Sequence, residues 1–293
     1  EVLYVEADED HVAFQGGKTM QVPLVYVHEG WELKGKSYRL KSVHYISGLY
    51  NDPEELWLKV WDYIERNYEV DKLKRIYIAG DGARWIKKGL EVLPNTRYVL
   101  DRFHLEKYIT RAFGRDTEQR KQIWKALQDL NWAEVEAIMK AAVKTAATDK
   151  HKKAIRECRR YIKNNWEGIE NYQKYAEEVR GCSAEGHVSH VLSARLSRRP
   201  GGWSRQGADQ MARLRAMKNN GVDIKTKYLS HCVSRIETTL KICRELIKQQ
   251  RKAVKELREQ LGNIPALRWK KSELAKVLKT LSRSSAQILT MCC

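Results

Sequence analysis

Apolar and polar positions alternate with a period of two over the first part of the chain. Three such segments lie at Leu3–Phe14, Pro23–Glu29 and Tyr38–Gly48, and each is rich in Val, Tyr or Ile. Because successive side chains of a strand point to opposite faces, this period predicts three strands. The links between them are short and contain glycine, so we expect the strands to form an antiparallel meander.

After this meander, helical spacing alternates with short apolar runs. A helix is predicted from Asp52, because an Asp followed by Pro and two glutamates is typical of a helix start. The runs Arg75–Ala79 and Arg97–Leu100 predict buried strands, followed by helices from about Ala83 and Phe103. Strands separated by helices favour parallel pairing. The predicted order is β-β-β-α-β-α-β-α, an α/β fold with a mixed five-stranded sheet.

The remainder of the chain is predicted to be helical. Strand patterns disappear between residues 117 and 179, which predicts an all-α insertion. Later helices are predicted at Glu185, at Ala208–Met217, from about Tyr228 to Leu261 and from about Lys270 to Leu281. We divide the chain into a first core segment (1–115), a helical insertion (116–180), a second core segment with the Glu185 helix (181–220) and a basic helical C-terminal region (221–293).

The charge of the chain indicates a class of partner in addition to the fold. Of 293 residues 42% are hydrophobic, which is enough for a packed core and excludes a disordered chain. The net charge is +18, and residues 201–293 hold 20 Lys and Arg against 7 Asp and Glu. This asymmetry favours a nucleic-acid partner along one side of the protein, with a solvated helical surface as the alternative.

Composition also bounds the location of the protein. No apolar run approaches the roughly 20 residues of a membrane span, and no signal-peptide pattern opens the chain, so a cytoplasmic location is expected. The six cysteines show no metal-ligand spacing and are expected to be reduced thiols. Because the first residue is Glu1 and a strand follows at once, we expect the chain to be a piece of a longer protein.

Acidic residues at the ends of strands form the first candidate for chemistry. Alternation places Glu6, Asp8 and Asp10 on one face of the first strand, where three carboxylates repel one another unless cations bind. Mg²⁺ and similar hard cations prefer oxygen ligands. Asp8 is the first choice for a metal ligand because it follows the most apolar stretch, and Asp10 and Glu6 are alternatives. The competing interpretation is a solvent-exposed acidic strand end.

Two further acids could complete such a site. Asp81 follows a buried strand between Gly80 and Gly82, at the kind of strand end where ligand sites of α/β sheets collect, although it could serve only as a helix N-cap. Glu185 opens a helical run, where a glutamate is also favoured by the helix dipole. The three acids Asp8, Asp81 and Glu185 predict a site for two metal ions, an arrangement that drives phosphodiester chemistry.

Other polar residues are candidates for accessory roles. Asp101 ends a predicted strand, and His104 lies just inside the next helix, where it could orient a phosphate or a metal-bound water or make only a structural hydrogen bond. A basic and aromatic segment follows Glu185 and is suited to phosphate and base contacts with DNA. Its candidate residues are Arg195, Arg198, Arg199, Trp203 and Arg205.

These motifs as a set resemble bacterial insertion-sequence DDE transposases of the ISLre type, which are akin to Mutator-like enzymes. The resemblance covers most of the chain to about residue 220. The segments that carry it are Tyr4-Val-Glu-Ala-Asp-Glu-Asp-His11, Ala79-Gly-Asp-Gly-Ala-Arg-Trp85, Leu100-Asp-Arg-Phe-His-Leu-Glu-Lys107 and Gly181-Cys-Ser-Ala-Glu-Gly-His-Val-Ser-His190, continuing through Arg195 to Gly202-Trp-Ser204.

The resemblance implies an RNase H-like core with a helical insertion between the second Asp and the Glu. It implies that Asp8, Asp81 and Glu185 hold two Mg²⁺ or Mn²⁺ ions, with Asp10 open as the first ligand, and that Asp101-x-x-His104 is an accessory signature. The implied activity is DNA strand cleavage and strand transfer. The expected partners are transposon ends and target DNA, bound by a homo-oligomer in a nucleoid-associated, cytoplasmic setting.

Two other functions remain open on the sequence. One is a catalytically inactive or repurposed transposase-derived protein that only binds DNA. The other is an RNase H-like nuclease that acts on other substrates, such as branched DNA or RNA–DNA hybrids.

Overall fold

The structure, a computed structural model, describes residues 1–35, 37–114, 116–199 and 201–262. One compact unit spans Glu1–Ile224, and a second unit begins at Lys225. The predicted helix from Lys270 to Leu281 lies outside the described residues. Within the described ranges, no helix is both long enough and apolar enough to cross a lipid bilayer.

The larger unit is built on a mixed sheet of five strands. The strand order is β5-β2-β1-β6-β7, in which β2 pairs antiparallel with both β1 and β5, while β6 pairs parallel with both β1 and β7. The predicted α/β class and mixed five-stranded sheet are confirmed. The strands are β1 (Val2–Ala13), β2 (Thr19–His28), β3 (Trp31–Lys34), β4 (Ser37–Leu40), β5 (His44–Ser47), β6 (Arg75–Gly80) and β7 (Thr96–Leu100).

The third predicted strand, Tyr38–Gly48, is wrong as a single element. Its first part belongs to β4, which pairs with β3 in a separate two-stranded sheet, and only β5 joins the main sheet. The break lies at Ser42, whose φ of 53° ends the extended run between the two strands. Gly30, with φ of 102°, redirects the chain from β2 into β3 by a conformation that favours glycine.

Helices cover both faces of the main sheet and form the segment after β7. The start of α1 is as predicted, because Asp52 caps the helix through the Glu54 N–H and Pro53 occupies its first turn. The helices are α1 (Pro53–Asn67), α2 (Arg84–Lys87), α3 (Gly89–Val92), α4 (Arg102–Phe113), α5 (Thr117–Gln128), α6 (Trp132–Thr145), α7 (Asp149–Asn164), α8 (Trp166–Lys174), α9 (Ala184–Val188), α10 (Arg205–Asn219) and α11 (Ile224–Gly262).

The two faces of β1 pack against different hydrophobic clusters. Odd-numbered residues such as Leu3 and Val5 are buried in the cluster that contains Trp57 of α1. Even-numbered residues face the other side, where Val12 packs with Leu192 in the π-helical turn that continues α9. A third cluster joins α4 to the helices of the insertion. The face of β1 that carries Glu6, Asp8 and Asp10 is therefore the one covered by the α9 segment.

Candidate active site

Asp8 lies on β1, at the centre of the sheet, with its side chain only 8% exposed. Its Oδ1 accepts a hydrogen bond from the backbone N–H of Glu9 at 2.9 Å. Burial raises the pKa of Asp8 to about 6, and the nearby negative charges of Glu9 and Asp81 contribute to the increase. The surroundings of Asp8 thus disfavour its negative charge, and a bound cation would offset this effect.

Asp81 follows β6, the parallel neighbour of β1, so the two aspartates come from adjacent strands. Its Oδ1 accepts the N–H of Ala83 at 2.8 Å, which stabilises the turn into α2 and leaves the second carboxylate oxygen for a ligand. The Tyr161 hydroxyl donates to the Asp81 carbonyl at 2.7 Å. Gly82, which lies between Asp81 and Ala83, adopts φ of 90°. The predicted role of Asp81 as a helix N-cap is wrong, because Ala83 is the N-cap of α2 and the Asp81 side chain instead closes the turn before it.

Asp101 and His104 form a single hydrogen-bonded unit at the start of α4. Asp101 caps the helix by accepting the N–H of Phe103 at 2.9 Å, and its Oδ2 lies 2.8 Å from Nδ1 of His104. Burial alone lowers the pKa of His104, but the bond to Asp101 and the charges of Asp8 and Asp81 outweigh it and raise the pKa above its ordinary value. The bond at Nδ1 orients the ring and leaves Nε2 for a ligand.

Glu185 lies in the first turn of α9 and reaches the same region from a distant part of the sequence. One potential ligand atom from each of Asp8, His104 and Glu185 lies within 4.8 Å of the others. Asp81 lines the same cavity, which has a volume of about 440 Å³, although it is not one of these three residues. The structure thus brings the predicted acids into one cavity and adds His104. The carboxylates in this cavity are oxygen donors of the kind that fit Mg²⁺ or Mn²⁺.

The other two acids on this face of β1 have partners within the protein. Asp10 accepts hydrogen bonds from the hydroxyls of Ser193 at 2.9 Å and Ser197 at 2.8 Å. Its Oδ2 is buried and has no hydrogen-bond partner among the described residues. Glu6 is 2% exposed and accepts bonds from Ser183, among others. Hydroxyl, imidazole and backbone donors therefore satisfy Glu6, so the argument that this row of acids requires cations applies to Asp8 and to the unpartnered oxygen of Asp10, which lines the same cavity.

The predicted DNA-binding residues have different surroundings. Arg198 lines the carboxylate cavity and hydrogen-bonds Ser189, whereas Arg199 is exposed to solvent. Arg195 lies with its guanidinium carbon 5.8 Å from the ring centroid of Trp203. Of these, Arg198 lines the same cavity as the acids.

Trp203 and Arg205 are engaged within the fold. The Trp203 backbone N–H donates to the Ala13 carbonyl, and its indole N–H donates to the Leu196 carbonyl, both at 3.0 Å. Arg205 donates to Oδ1 of Asn51 at 3.0 Å. These contacts anchor the loop before α10 on the end of β1.

Sequence reasoning missed Lys107, whose Nζ lies 3.2 Å from Oε2 of Glu185. The two side chains are each 52% exposed, so they form a pair at the mouth of the cavity. A spacing of three residues from His104 on one helix could have indicated that Lys107 shares its face.

Sequence reasoning also missed the charge of α7. Arg160 and Tyr161 of this helix line a second cavity, of about 450 Å³, together with Asp81. The basic residues of α7 are Lys150, Lys152, Lys153, Arg156, Arg159, Arg160 and Lys163.

Comparison with known proteins places this chain in a family. Residues 1–232 match the model of the uncharacterised protein family UPF0236. In Caldanaerobacter subterraneus subsp. tengcongensis, the UPF0236 protein TTE2489 is 43% identical over 281 residues, which is 95% of this chain and 61% of the relative. A second relative from this organism, whose name joins eleven designations from TTE0033 to TTE2212, is 43% identical over 282 residues, 96% of this chain and 60% of its own length.

A more distant relative, the UPF0236 protein in the vanSb 3′ region of Streptococcus gallolyticus, is 27% identical over 229 residues, 75% of this chain and 50% of the relative. The chain thus spans about half to three fifths of the length of these relatives. Because the family model matches most of the chain, and 43% identity extends over nearly all of it, the chain belongs to the UPF0236 family.

Proposed function

We propose that this chain is the catalytic region of a DDE transposase, which cleaves DNA and transfers the cut strand in a reaction that depends on Mg²⁺ or Mn²⁺. The observation that carries the proposal is the convergence of Asp8, His104 and Glu185, with potential ligand atoms within 4.8 Å of one another, in a cavity shared with Asp81. The three acids come from two sheet strands and a helix more than 100 residues farther along the chain.

The fold supports the same proposal. An antiparallel meander of β1, β2 and β5, extended on the other side of β1 by the parallel strands β6 and β7, agrees with the RNase H-like core that the sequence resemblance implies. The helices α5 to α8 stand between Asp81 and Glu185 in the sequence, as a helical insertion would.

The chemistry follows from the side chains that share the cavity. Asp8, Asp81 and Glu185 would hold the two ions, which would supply activation of an attacking hydroxyl and neutralisation of the negative charge at the phosphate. His104, oriented by Asp101, can hold a proton on Nε2 next to the reacting phosphate. Arg198 and Lys107 line the cavity as cations that can bind the phosphate and neutralise part of its charge.

The family pattern and the charge add support. A single name that joins eleven designations in one organism is what copies of a mobile gene would produce. The net charge of +18 favours DNA as the partner, and homo-oligomer formation on DNA and a nucleoid-associated location are parts of the same proposal. The relatives are longer than this chain, so recognition of the element's ends belongs to the whole protein in this proposal.

The Lys107–Glu185 ion pair favours a second candidate, a DNA-binding protein without catalysis. In that protein the lysine, rather than a metal ion, would neutralise Glu185 permanently. The two candidates differ in one measurement, metal-dependent cleavage.

The test uses purified protein and labelled DNA that carries the sequences flanking the gene, with Mg²⁺, Mn²⁺ or EDTA. We expect nicking with the metals and none with EDTA, and we expect Asp81→Asn and Glu185→Gln to abolish nicking while DNA binding is retained. Asp62→Asn on the exposed side of α1 is the matched control, because Asp62 pairs with Arg66 at the surface. Salt-sensitive binding without nicking would support the second candidate, and unchanged nicking by Asp81→Asn would refute the site.

A further inference from the structure

We propose that Glu6 is a positioning residue, which fastens the segment before α9 to β1 and thereby holds Glu185 within reach of Asp8. The proposal concerns the same site as the proposed function and rests on it for its catalytic meaning. The contact itself, between residues 177 positions apart, stands on the geometry alone.

Glu6 receives hydrogen bonds on both carboxylate oxygens. Its Oε2 accepts the backbone N–H of Ser183 at 2.6 Å and the Ser183 hydroxyl at 3.1 Å, and it also accepts the hydroxyl of Tyr26. Its Oε1 lies 3.2 Å from Nε2 of His28. Glu6 and His28 are 2% and 0% exposed, so these bonds form where water cannot replace them. Loss of a buried charged acceptor is costly under these conditions.

The proton on Nε2 of His28 follows from its partner. Nδ1 of His28 lies 3.1 Å from the backbone nitrogen of Gly30 and 3.2 Å from its carbonyl oxygen, so it can accept from the first or donate to the second. An ionised Glu6 carboxylate can only accept, so the contact of Oε1 with Nε2 is a hydrogen bond when Nε2 carries a proton. Every neighbour of the Glu6 carboxylate in this network can therefore act as a donor. A glutamine would replace the charged acceptor by a neutral one and place an amide N–H₂ group against one of these neighbours.

The network lies at a segment without regular secondary structure. Ser183 precedes α9, and its own side chain makes no capping bond to the helix. The preceding residues have no regular secondary structure, and Gly181 adopts φ of 146°. Glu185 follows Ser183 by two residues. The bonds that Ser183 makes to Glu6 fix the start of α9, while the Tyr45 hydroxyl, 2.7 Å from Nδ1 of His187, and the buried Val188 hold its later part.

The strand explains why the anchor matters for the metal ligands. Glu6 and Asp8 lie on one face of β1, two residues and about 7 Å apart. One strand therefore supplies both the first candidate ligand and the anchor for the segment that carries the last one. Fixing Ser183 to Glu6 sets the distance between Glu185 and Asp8 without any direct bond between those two acids.

The experiment is a double-mutant cycle on Mn²⁺ affinity, measured by isothermal titration calorimetry. We expect Glu6→Gln to weaken Mn²⁺ binding by about 10- to 100-fold, the range seen when residues that orient metal ligands are changed. In a Glu185→Gln background the same change should alter the affinity by less than about twofold, because position 185 then carries no carboxylate for Glu6 to position. An equal loss in both backgrounds would mean a general structural effect and would overturn the proposal.

A matched control and a milder variant keep the cycle interpretable. Glu178→Gln removes another carboxylate that accepts bonds from Tyr77 and Arg75, outside the cavity, and should leave Mn²⁺ affinity unchanged. Ser183→Ala removes one hydroxyl and keeps the backbone bond, so it should weaken binding by only about two- to fivefold. Wild-type affinity in both Glu6→Gln and Ser183→Ala would overturn the proposal.

Hydrogen exchange separates this proposal from the proposed function. In Glu6→Gln the amides of residues 183–188 should exchange faster, while those of β1 and α1 remain as protected as in the wild type. If the wild-type protein bound no Mn²⁺, the proposed function would fall, and the exchange pattern alone would decide the anchor. Unchanged exchange at residues 183–188 would overturn it.

Discussion

Substituting Asp8 with asparagine should stabilise the metal-free protein while removing its response to metal. In the folded state the pKa of Asp8 is about 6, against an ordinary value of 3.8. At about 1.4 kcal/mol per tenfold change, this difference means that ionised Asp8 costs the folded state about 3 kcal/mol at neutral pH. Asparagine is neutral and its amide oxygen can still accept the Glu9 N–H. Because burying the amide retains part of the cost, we expect a gain of about 1–3 kcal/mol.

The sign of the pH dependence follows from the direction of the shift. Below pH 3.8 Asp8 is protonated in both the folded and the unfolded protein, and it carries no penalty. As the pH rises from 3.8 to about 6, the unfolded chain releases its proton first, so the penalty grows and then stays constant. The stabilisation by Asp8→Asn should therefore be full at pH 7 and nearly absent at pH 4.

The assay is urea unfolding in EDTA at pH 7 and at pH 4, repeated with Mn²⁺ at pH 7. Asp62→Asn, at the surface of α1, is the control and should change the free energy of unfolding by less than about 0.5 kcal/mol. Wild-type protein should gain stability from Mn²⁺, and Asp8→Asn should gain little. A variant that is less stable than wild type at pH 7 in EDTA, or one whose gain persists at pH 4, would refute the reasoning.

Two further variants test the surroundings of the acids. Lys107→Ala should tighten Mn²⁺ binding by up to about fivefold, because the exposed ion pair of Lys107 with Glu185 competes only weakly with the metal. The same change should slow cleavage, because it removes a cation that contacts the phosphate. Weaker Mn²⁺ binding in calorimetry would contradict this. Gly82→Ala should lower the free energy of unfolding by at least about 2 kcal/mol in urea, because the position has φ of 90° and a Cβ would clash with Oδ1 of Asn165. Gly114→Ala, with φ of 58° and open space around it, is the control that isolates the clash. Equal losses at both positions would contradict the prediction.

The sequence was sufficient to predict the sheet and the side of it on which the acids lie. Alternation along β1 is a local property of a strand, so it correctly separated Leu3 and Val5 from the acids at positions 6, 8 and 10. The split of the third predicted strand was not visible, because the left-handed backbone of Ser42 occurs in a residue type that has no strong preference for it. A single residue with this backbone does not interrupt the alternation of apolar and polar residues, so the sequence pattern predicts one continuous strand.

The environment of each acid could not be predicted, because it depends on contacts far apart in the sequence. Glu6 and Asp10 differ from Asp8 through Ser183, Ser193 and Ser197, which lie more than 170 positions away. No local pattern marks these serines as donors. The hydroxyls of Ser193 and Ser197 both bond to Oδ1 of Asp10 and leave its Oδ2 without a partner among the described residues, whereas Ser183 bonds to Glu6 through its backbone and its hydroxyl.

The helix α4 connects the insertion to the chemistry of the cavity. Its first turn presents His104 and its second presents Lys107, while Ile109 on its buried side belongs to the hydrophobic cluster of the insertion, together with Ile155 of α7. The same α7 carries Tyr161, whose hydroxyl holds the Asp81 carbonyl. Helices inserted between Asp81 and Glu185 in the sequence therefore support two walls of the cavity from behind. In this fold the insertion does more than connect the second acid to the third, because the positions of His104 and of the Asp81 backbone both depend on its packing.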